Sequence, residues 1–263
     1  MLLKNEKYKP FSEISGDGKI KYCFNSLGYR SEEYNPQSRI KIFACGCSCT
    51  FGHGLTLEET WPYRFKQLFL QKYGLEDKDV NLMNFGMWGH SNDYISRTLL
   101  KQMNLVKPDL ILVYFTVSSR KEYVSGNKHI NLNMGGIRQR DLEEMKNYLA
   151  YYSDELGFIN ALKNMLLLQY YCKLHNIDYI FSWLDRSSFG SQKFTSNPIC
   201  SQFIELIDKK YLCDFTLKIL DRAADKRTVD GIERGHPGPK SNKLFAEKLF
   251  KFYEERILNK SNH

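Results

Sequence analysis

Hydrophobic and polar positions follow two repeating patterns along the chain. Short apolar runs, typical of buried strands, are separated by longer segments with apolar residues at helical spacing. The predicted strands cover 39–44, 81–85, 109–115 and 178–183. The predicted helices cover 60–73, 91–106, 154–175, 199–224 and 241–258, and within 199–224 the pattern over 213–220 is ambiguous. Strands that alternate with helices form a parallel sheet covered on both faces. We therefore predict an α/β protein, a three-layer α/β/α sandwich with a flavodoxin-like parallel sheet of about five strands.

Two parts of the chain interrupt this alternation. Residues 1–38 lack a strong periodicity, and we expect an N-terminal arm that wraps a domain formed by residues 39–263. Residues 117–152 are polar and glycine-containing, and a loop this long in a compact domain is usually an active-site cover or a subdomain. We expect an insertion there. The segment 235–239, GHPGP, predicts a rigid turn before the last helix.

The composition is that of a globular domain. The 263 residues are 42% hydrophobic and include only 7 Pro and 17 Gly, which excludes collagen-like and low-complexity chains. No apolar run approaches the ~20 residues of a membrane helix, and the N-terminal apolar stretch is too short for a signal peptide. We expect a cytoplasmic protein with no membrane span.

The charge and the cysteines exclude further classes of function. The net charge is +8, but the basic residues form no block, so nucleic acid is not an expected partner. The seven cysteines, without an export signal, predict reduced thiols. Cys45, Cys47 and Cys49 invite a metal-site interpretation, but no CxxC or HxxxH pair accompanies them. We therefore expect no metal and no organic cofactor.

Residues that carry chemistry gather in four loops. Three follow predicted strands, and the fourth precedes the last helix. They are 46–54 (GCSCTFGHG), 84–93 (NFGMWGHSND), 116–120 (TVSSR) and 230–239 (DGIERGHPGP). Because ligands of parallel sheets bind beyond the carboxyl ends of the strands, we expect these loops at one edge.

These loops resemble the blocks of the SGNH (GDSL-type) hydrolase superfamily. The first block of that family, approximately GDSxTxG, is similar to 46–52, and a Glu-Thr-Trp-Pro run follows at 59–62. The second block's glycine matches Gly86, and the last block's acidic residue and histidine match Glu233 and His236. A lead-in at 25–30 (NSLGYR) resembles a segment found ahead of the first block in some branches, so the resemblance spans about residues 25–250.

The resemblance implies a serine esterase, and the chemistry of the residues points the same way. A serine hydroxyl becomes a nucleophile when an imidazole removes its proton, so Ser48 and His236 are the predicted pair. A carboxylate orients the imidazole; Glu233 has the expected spacing and Asp230 is the reserve.

The predicted oxyanion hole comprises the Ser48 and Gly86 amides, Ser118 from the third block, and Asn92 as a substitute donor. His53, His90 and Arg120 are predicted to face the substrate. The two histidines are also rival candidates for the base, and a structural role stays open for both.

The chain departs from the family pattern at two positions. Cys47 replaces the aspartate that usually precedes the nucleophile. Ser118 replaces the third-block asparagine and is a shorter, weaker donor. Losing one oxyanion donor costs on the order of 3 kcal/mol when nothing replaces it.

Purely structural roles stay open for each candidate. Ser48 could only cap a helix, and His236 could only shape a turn. Gly86 could simply permit close backbone approach. Ser118 and Asn92 could hydrogen-bond within loops.

The predicted substrate is a small acyl ester, and the resemblance implies an O-acetyl group on a carbohydrate. One alternative is an acyltransferase that uses the same serine and histidine to pass the acyl group to a sugar hydroxyl. The other is a glycan-binding module with a weakened catalytic site. The sequence leaves the oligomeric state open.

Overall fold

The structure repeats the strand and helix alternation of the sequence. A computed structural model describes residues 11–14, 20–133, 143–217, 226–229 and 232–258, and for residues 11, 13, 14, 128, 226–229 and 232–235 it describes the backbone alone. The strands are β1 (Phe11–Ile14), β2 (Lys21–Phe24), β3 (Ile40–Gly46), β4 (Val80–Asn84), β5 (Leu110–Phe115), β6 (Arg120–Ser125), β7 (Lys128–Asn133), β8 (Asp178–Trp183), β9 (Lys226–Val229) and β10 (Ile232–Pro237). The helices are α1 (Ser48–Phe51), α2 (Trp61–Tyr73), α3 (Asn92–Leu105), α4 (Glu143–Tyr151), α5 (Asp154–His175), α6 (Gln192–Thr195), α7 (Pro198–Leu206) and α8 (Pro239–Arg256).

A parallel sheet with the strand order β4-β3-β5-β8 forms the centre of the molecule. Every residue of β5 is buried, as its unbroken apolar run predicted. Among the described residues this sheet has four strands, not about five. Beyond β8, Leu212 makes a single parallel bridge with Phe181, at the position where a fifth strand would pair.

Helices cover both faces of the sheet and form the outer layers. α2 packs against α8, and α3 packs against α5. Right-handed crossovers place α3 and α5 on the face opposite to α2. Aromatic pairs pack in these layers: Trp61–Phe245 joins α2 to α8 at 5.4 Å, and Phe158–Trp183 joins α5 to β8 at 5.5 Å, measured between ring centroids. The three-layer α/β/α prediction is confirmed. Among the described helices, none is both long and apolar enough to cross a membrane.

Most predicted helices begin and end within a few residues of the observed bounds. Ser91 caps α3, because its side chain accepts the Tyr94 amide. The helix predicted over 199–224 is wrong in its middle: α7 ends at Leu206 and the chain then turns to run beside β8. There the Cys213 amide donates to Phe181 O at 2.8 Å, so sheet pairing replaces the helix. Residues 218–224 lie outside the described part.

The two segments that interrupt the alternation contain regular structure. In the N-terminal arm β1 pairs with β2, and Glu32 binds the fully buried Lys66 of α2 at 2.9 Å. The predicted insertion contains the antiparallel hairpin β6–β7 and helix α4. The rigid turn predicted at 235–239 is wrong, since β10 continues to Pro237 and α8 begins at Pro239. The domain boundaries themselves stay predictions.

Candidate active site

Ser48 lies at the carboxyl edge of the sheet, where β3 passes into α1. Cys47 is extended (φ −92°, ψ −151°) and Ser48 is the first residue of the helix. A Cβ at Gly46 would clash with Thr50 Oγ1 and lie 2.7 Å from Tyr114 O, so the tight turn requires glycine. Ser48 is 8% exposed. The turn therefore holds one hydroxyl at the point where a parallel sheet binds its ligands.

The fold brings His236 to this hydroxyl from 188 positions away. His236 Nε2 lies 2.9 Å from Ser48 Oγ. That is a hydrogen-bond distance, and in the tautomer with an unprotonated Nε2 the imidazole can accept the serine proton. A histidine that only shaped its own turn would not need this contact.

Asn242 holds the chain that carries His236. Its side chain is buried and donates to Pro237 O at 3.2 Å and to Gly238 O at 2.9 Å. Its Oδ1 accepts the Trp61 amide at 3.0 Å. One side chain therefore ties the histidine segment to the start of α2. Sequence reasoning missed Asn242, and its only signal is an amide side chain in the first turn of the last helix.

The side chains of both candidates for the triad acid lie outside the described part of the structure. Glu233 is in β10, where its backbone pairs with Thr228 of β9. Its side chain, and Asp230 as a whole, lie outside the described residues. Glu233 thus stays a prediction.

Two predicted oxyanion donors are engaged elsewhere. The Ser118 amide and hydroxyl both donate to Asp185 Oδ2, at 2.8 and 3.1 Å. Asn92 accepts the Thr116 amide at 2.9 Å and donates to Thr116 O at 3.3 Å. Both side chains fix the loop after β5, which argues against their predicted role at the oxyanion. The physical reason is that each polar group already has a protein partner.

The Gly86 amide is also engaged, since it donates to Asn84 Oδ1 at 2.9 Å. A Cβ at Gly86 would lie 2.5 Å from Phe51 N, so this glycine permits close packing of α1 against the loop after β4. By contrast, no described residue accepts the Ser48 N–H, which opens α1. Of the four predicted donors, the Ser48 amide is therefore the one that stays available.

Arg120 brings a positive charge to the loop that follows β5. Its Nη1 donates to Thr116 Oγ1 at 3.0 Å and to His90 O at 3.4 Å. Its Nε is buried and finds no acceptor among the described residues, none of whose carboxylates pairs with the guanidinium. The guanidinium thus lies at the end of β5, the strand that pairs with β3, and β3 leads into Ser48.

The three clustered cysteines have different partners. A hydrogen bond from the Cys49 side chain holds the pKa of the Cys47 thiol well below its usual range, with further lowering by the Arg120 charge and opposition from burial. Cys45 instead donates to Phe85 O at 3.6 Å, and burial raises its pKa. Within the described part of the chain, no three His, Cys, Asp or Glu side chains are grouped as metal ligands.

The predicted substrate-facing histidines occupy different places. The His53 ring lies 5.2 Å from the His236 ring and 5.7 Å from the Trp88 ring, measured between centroids. His90 packs on Tyr94 at 4.2 Å, and burial lowers the pKa of its imidazole. His53 therefore lies beside the Ser48–His236 pair, whereas His90 supports the base of its loop. Sequence reasoning missed Trp88, although a tryptophan among glycines and a histidine after a strand is a usable signal.

Arg30, from the lead-in segment, fixes the chain that follows α1. Its guanidinium donates to Phe51 O, Gly52 O and Leu55 O at 2.9, 2.7 and 2.6 Å. Arg30 is 1% exposed, and burial lowers its pKa to about 10. The lead-in thus serves the site by holding the loop that bears His53.

The comparisons with known proteins find similar folds. No protein-family model and no curated protein matches the sequence. Solved structures similar to this chain include TesA, 14% identical over 82% of this chain and 99% of that one, with a TM-score of 0.48. The esterase EstA from Pseudoalteromonas sp. is 14% identical over 85% of this chain and 99% of that one, with a TM-score of 0.48. Axe2, an acetylxylan esterase from Geobacillus stearothermophilus, is 14% identical over 82% of this chain and 94% of that one, with a TM-score of 0.46.

The strand order confirms the fold that the resemblance implies. Matches as distant as these concern the fold, and the chemistry of the site rests on its own geometry.

Proposed function

We propose that the protein is a serine esterase that hydrolyses a small acyl ester. The observation that carries the proposal is the 2.9 Å contact between Ser48 Oγ and His236 Nε2. A serine hydroxyl held against an imidazole at the carboxyl edge of a parallel sheet is the arrangement that acyl transfer needs.

The reaction proceeds in two halves. Ser48 Oγ attacks the ester carbonyl carbon while His236 takes its proton, and the tetrahedral intermediate then expels the alcohol oxygen, which receives that proton. Water attacks the resulting acyl-serine with the same imidazole as base, and the carboxylic acid leaves as Ser48 is restored. Glu233 is the proposed carboxylate behind the imidazole, because of its position three residues before His236.

We assign the oxyanion to the Ser48 N–H and the Arg120 guanidinium. The Ser48 amide is unpaired at the start of α1, and Arg120 has an unused N–H and no carboxylate partner among the described residues. A cation with free donors compensates for the loss of a neutral asparagine donor, because the tetrahedral intermediate carries a full negative charge. The proposed substrate is an O-acetyl group on a carbohydrate, as the resemblance in sequence implies.

Labelling and hydrolysis with matched serine variants test the proposal. We expect wild type to react with a fluorophosphonate probe and to hydrolyse p-nitrophenyl acetate. Ser48→Ala should lose the label and at least about a thousandfold in kcat. Ser125→Ala, an exposed position at the end of β6, is the control and should match wild type. Equal labelling and rates in wild type and Ser48→Ala would overturn the proposed nucleophile.

The alternatives give different products with the same proteins. An acyltransferase would move the acetyl group onto an added sugar instead of releasing acetate. A binding module would bind acetylated glycans without reacting with the probe. Quantifying acetate released against acetyl groups transferred separates all three.

A further inference from the structure

We propose that Trp88 binds a sugar ring of the substrate by stacking it on the exposed face of its indole. This inference rests on the proposed esterase function and assigns a binding residue to the alcohol side of the ester. It also names the kind of alcohol, a ring with one apolar C–H face and hydroxyl groups at its edge.

Trp88 differs sharply from the other two tryptophans of the chain. Trp61 and Trp183 are 1% and 0% exposed and belong to the core, whereas Trp88 is 46% exposed. Leaving an indole in water forfeits the free energy that its burial would contribute to folding. A large exposed aromatic group at a binding crevice is accounted for when a ligand covers it.

The ring of His53 lies between the Trp88 indole and His236, the proposed catalytic base. Trp88 rests on Phe51 at 5.5 Å and meets His53 edge-on at 5.7 Å, between centroids. The His53 ring in turn lies 5.2 Å from the His236 ring. A sugar on the indole would therefore lie beside the Ser48–His236 pair, where one of its esterified hydroxyls can reach the serine.

The loop that carries Trp88 is held at several points. The Met87 amide donates to Gly46 O at 3.1 Å, and the His90 ring nitrogen Nδ1 lies 2.7 Å from Trp88 O. Arg120 Nη1 donates to His90 O at 3.4 Å, and Gly89 takes the left-handed conformation (φ +72°) that completes the turn. The platform is thus ordered before the ligand arrives, which reduces the entropy lost on binding.

An open indole face suits a sugar better than an acyl chain. An aliphatic chain gains most when an apolar slot surrounds it, and on an open face much of it would stay in water. A sugar ring covers the indole with its C–H face and keeps its hydroxyls at the ring edge, where they stay hydrated or hydrogen-bonded.

The test compares one ester that carries a sugar with one that does not. We expect Trp88→Ala to lower kcat/KM for acetylated cellobiose about tenfold more than for p-nitrophenyl acetate, mainly through KM. Trp88→Phe, which keeps a smaller aromatic face, should fall between Trp88→Ala and wild type. Tyr151→Ala is the control, because Tyr151 is 83% exposed on α4, and it should change neither substrate.

Binding without turnover gives a second measurement. In Ser48→Ala, cellobiose acetates should shift the fluorescence of the single exposed tryptophan, and Ser48→Ala/Trp88→Phe should lose that shift.

Three results would overturn the inference. One is an equal loss of kcat/KM on both esters in Trp88→Ala, which would make Trp88 a packing residue. A second is a loss of kcat/KM in Trp88→Ala that is larger for p-nitrophenyl butyrate than for p-nitrophenyl acetate, which would make Trp88 part of an acyl-binding site. The third is a KM of Trp88→Ala for acetylated cellobiose that equals the wild-type KM, while hydrolysis still depends on Ser48. In that case the proposed esterase function would still hold. Loss of the proposed function itself would appear instead as full activity in Ser48→Ala.

Discussion

Arg120 supplies positive charge in a part of the site where neutral donors are already engaged. Ser118 binds Asp185 and Asn92 binds Thr116, so neither can move to a developing oxyanion without breaking a protein hydrogen bond. The neighbouring Lys121 pairs with Asp93. Among the described side chains at the start of β6, only Arg120 keeps a buried N–H without an acceptor. Charge, geometry and unmet hydrogen-bonding capacity therefore coincide in one residue.

Arg120→Gln should lower kcat for p-nitrophenyl acetate by about a hundredfold and leave KM nearly unchanged, because the proposed contact of the guanidinium with the oxyanion forms mainly in the transition state. Added guanidinium chloride at millimolar concentration should restore part of the rate, and Arg120→Lys should retain part of it.

Arg97→Gln serves as the control, since Arg97 pairs with Glu122 on the same hairpin at 2.7 Å and should not affect kcat strongly. A change confined to KM, and only for anionic esters, would show that Arg120 recognises substrate charge instead.

At the scale of elements, one half-buried carboxylate, that of Asp93, joins the β6–β7 hairpin to the helices beneath it. Asp93 Oδ1 accepts hydrogen bonds from Lys121, Asn160 and Asn164 at 3.3, 3.0 and 3.1 Å, and Oδ2 accepts the Glu122 amide at 3.1 Å. These contacts connect α3, α5 and β6 at one point. The hairpin is thereby fixed beside the candidate site.

The pH dependence of this junction follows from the pKa of Asp93. Burial alone would raise that pKa, but the hydrogen bonds from Glu122 and Asn160 and the charge of Lys121 outweigh it and lower the pKa below its usual value. A carboxyl group with a lowered folded-state pKa stabilises the fold above its unfolded pKa of about 4, and the stabilisation is lost as the pH falls through the folded value.

Asp93→Asn should therefore reduce the free energy of unfolding by about 2 kcal/mol at pH 7, measured by urea denaturation. The difference from wild type should shrink as the pH falls from about 4 through the lowered folded-state pKa, because the unfolded chain takes up the proton first and folded Asp93 is protonated only below that lower value. Glu143→Gln, an exposed position at the start of α4, is the control and should change stability little at either pH. If Asp93→Asn loses the same free energy of unfolding at every pH, the shape of the side chain rather than its charge matters at this position.

At the scale of the whole molecule, the candidate site depends on a contact between the start of α2 and the start of α8, which are far apart in the sequence. Asn242 in α8 accepts the Trp61 amide across 181 positions and donates to two carbonyls beside His236. Helices α2 and α8 pack together through aromatic pairs such as Phe65–Phe250 at 5.6 Å. Core packing and the position of the imidazole are thus coupled.

Asn242→Ala should lower kcat for p-nitrophenyl acetate about tenfold or more, because the imidazole loses its fixed position. It should also lower the free energy of unfolding by about 2 kcal/mol, as three buried groups lose a partner. Asn242→Asp keeps the acceptor for Trp61 but loses both donors, so it should retain more stability than activity. Lys243→Ala, next along the exposed side of α8, is the control. Unchanged kcat in Asn242→Ala would show that His236 is held by other contacts.

Patterns local to the chain were sufficient to predict the layered fold and the Ser48 turn. The apolar run of β5 and the helical spacing of α5 each lie within one element, and the close approach of Thr50, four residues further on, requires glycine at position 46 in the turn that holds Ser48. Such features depend on neighbours in sequence, so they can be predicted from it.

Tertiary structure decided which side chains were left free to act. Ser118 meets Asp185 across 67 positions and Asn92 meets Thr116 across 24, so nothing local reveals that these donors are occupied. Trp88 and Trp61 are the same residue type, yet one is exposed and one is buried according to which elements pack over them. Sequence therefore determined the fold and the position of Ser48, the proposed nucleophile. The free donors and the exposed indole depend on long-range packing, and only the folded chain shows them.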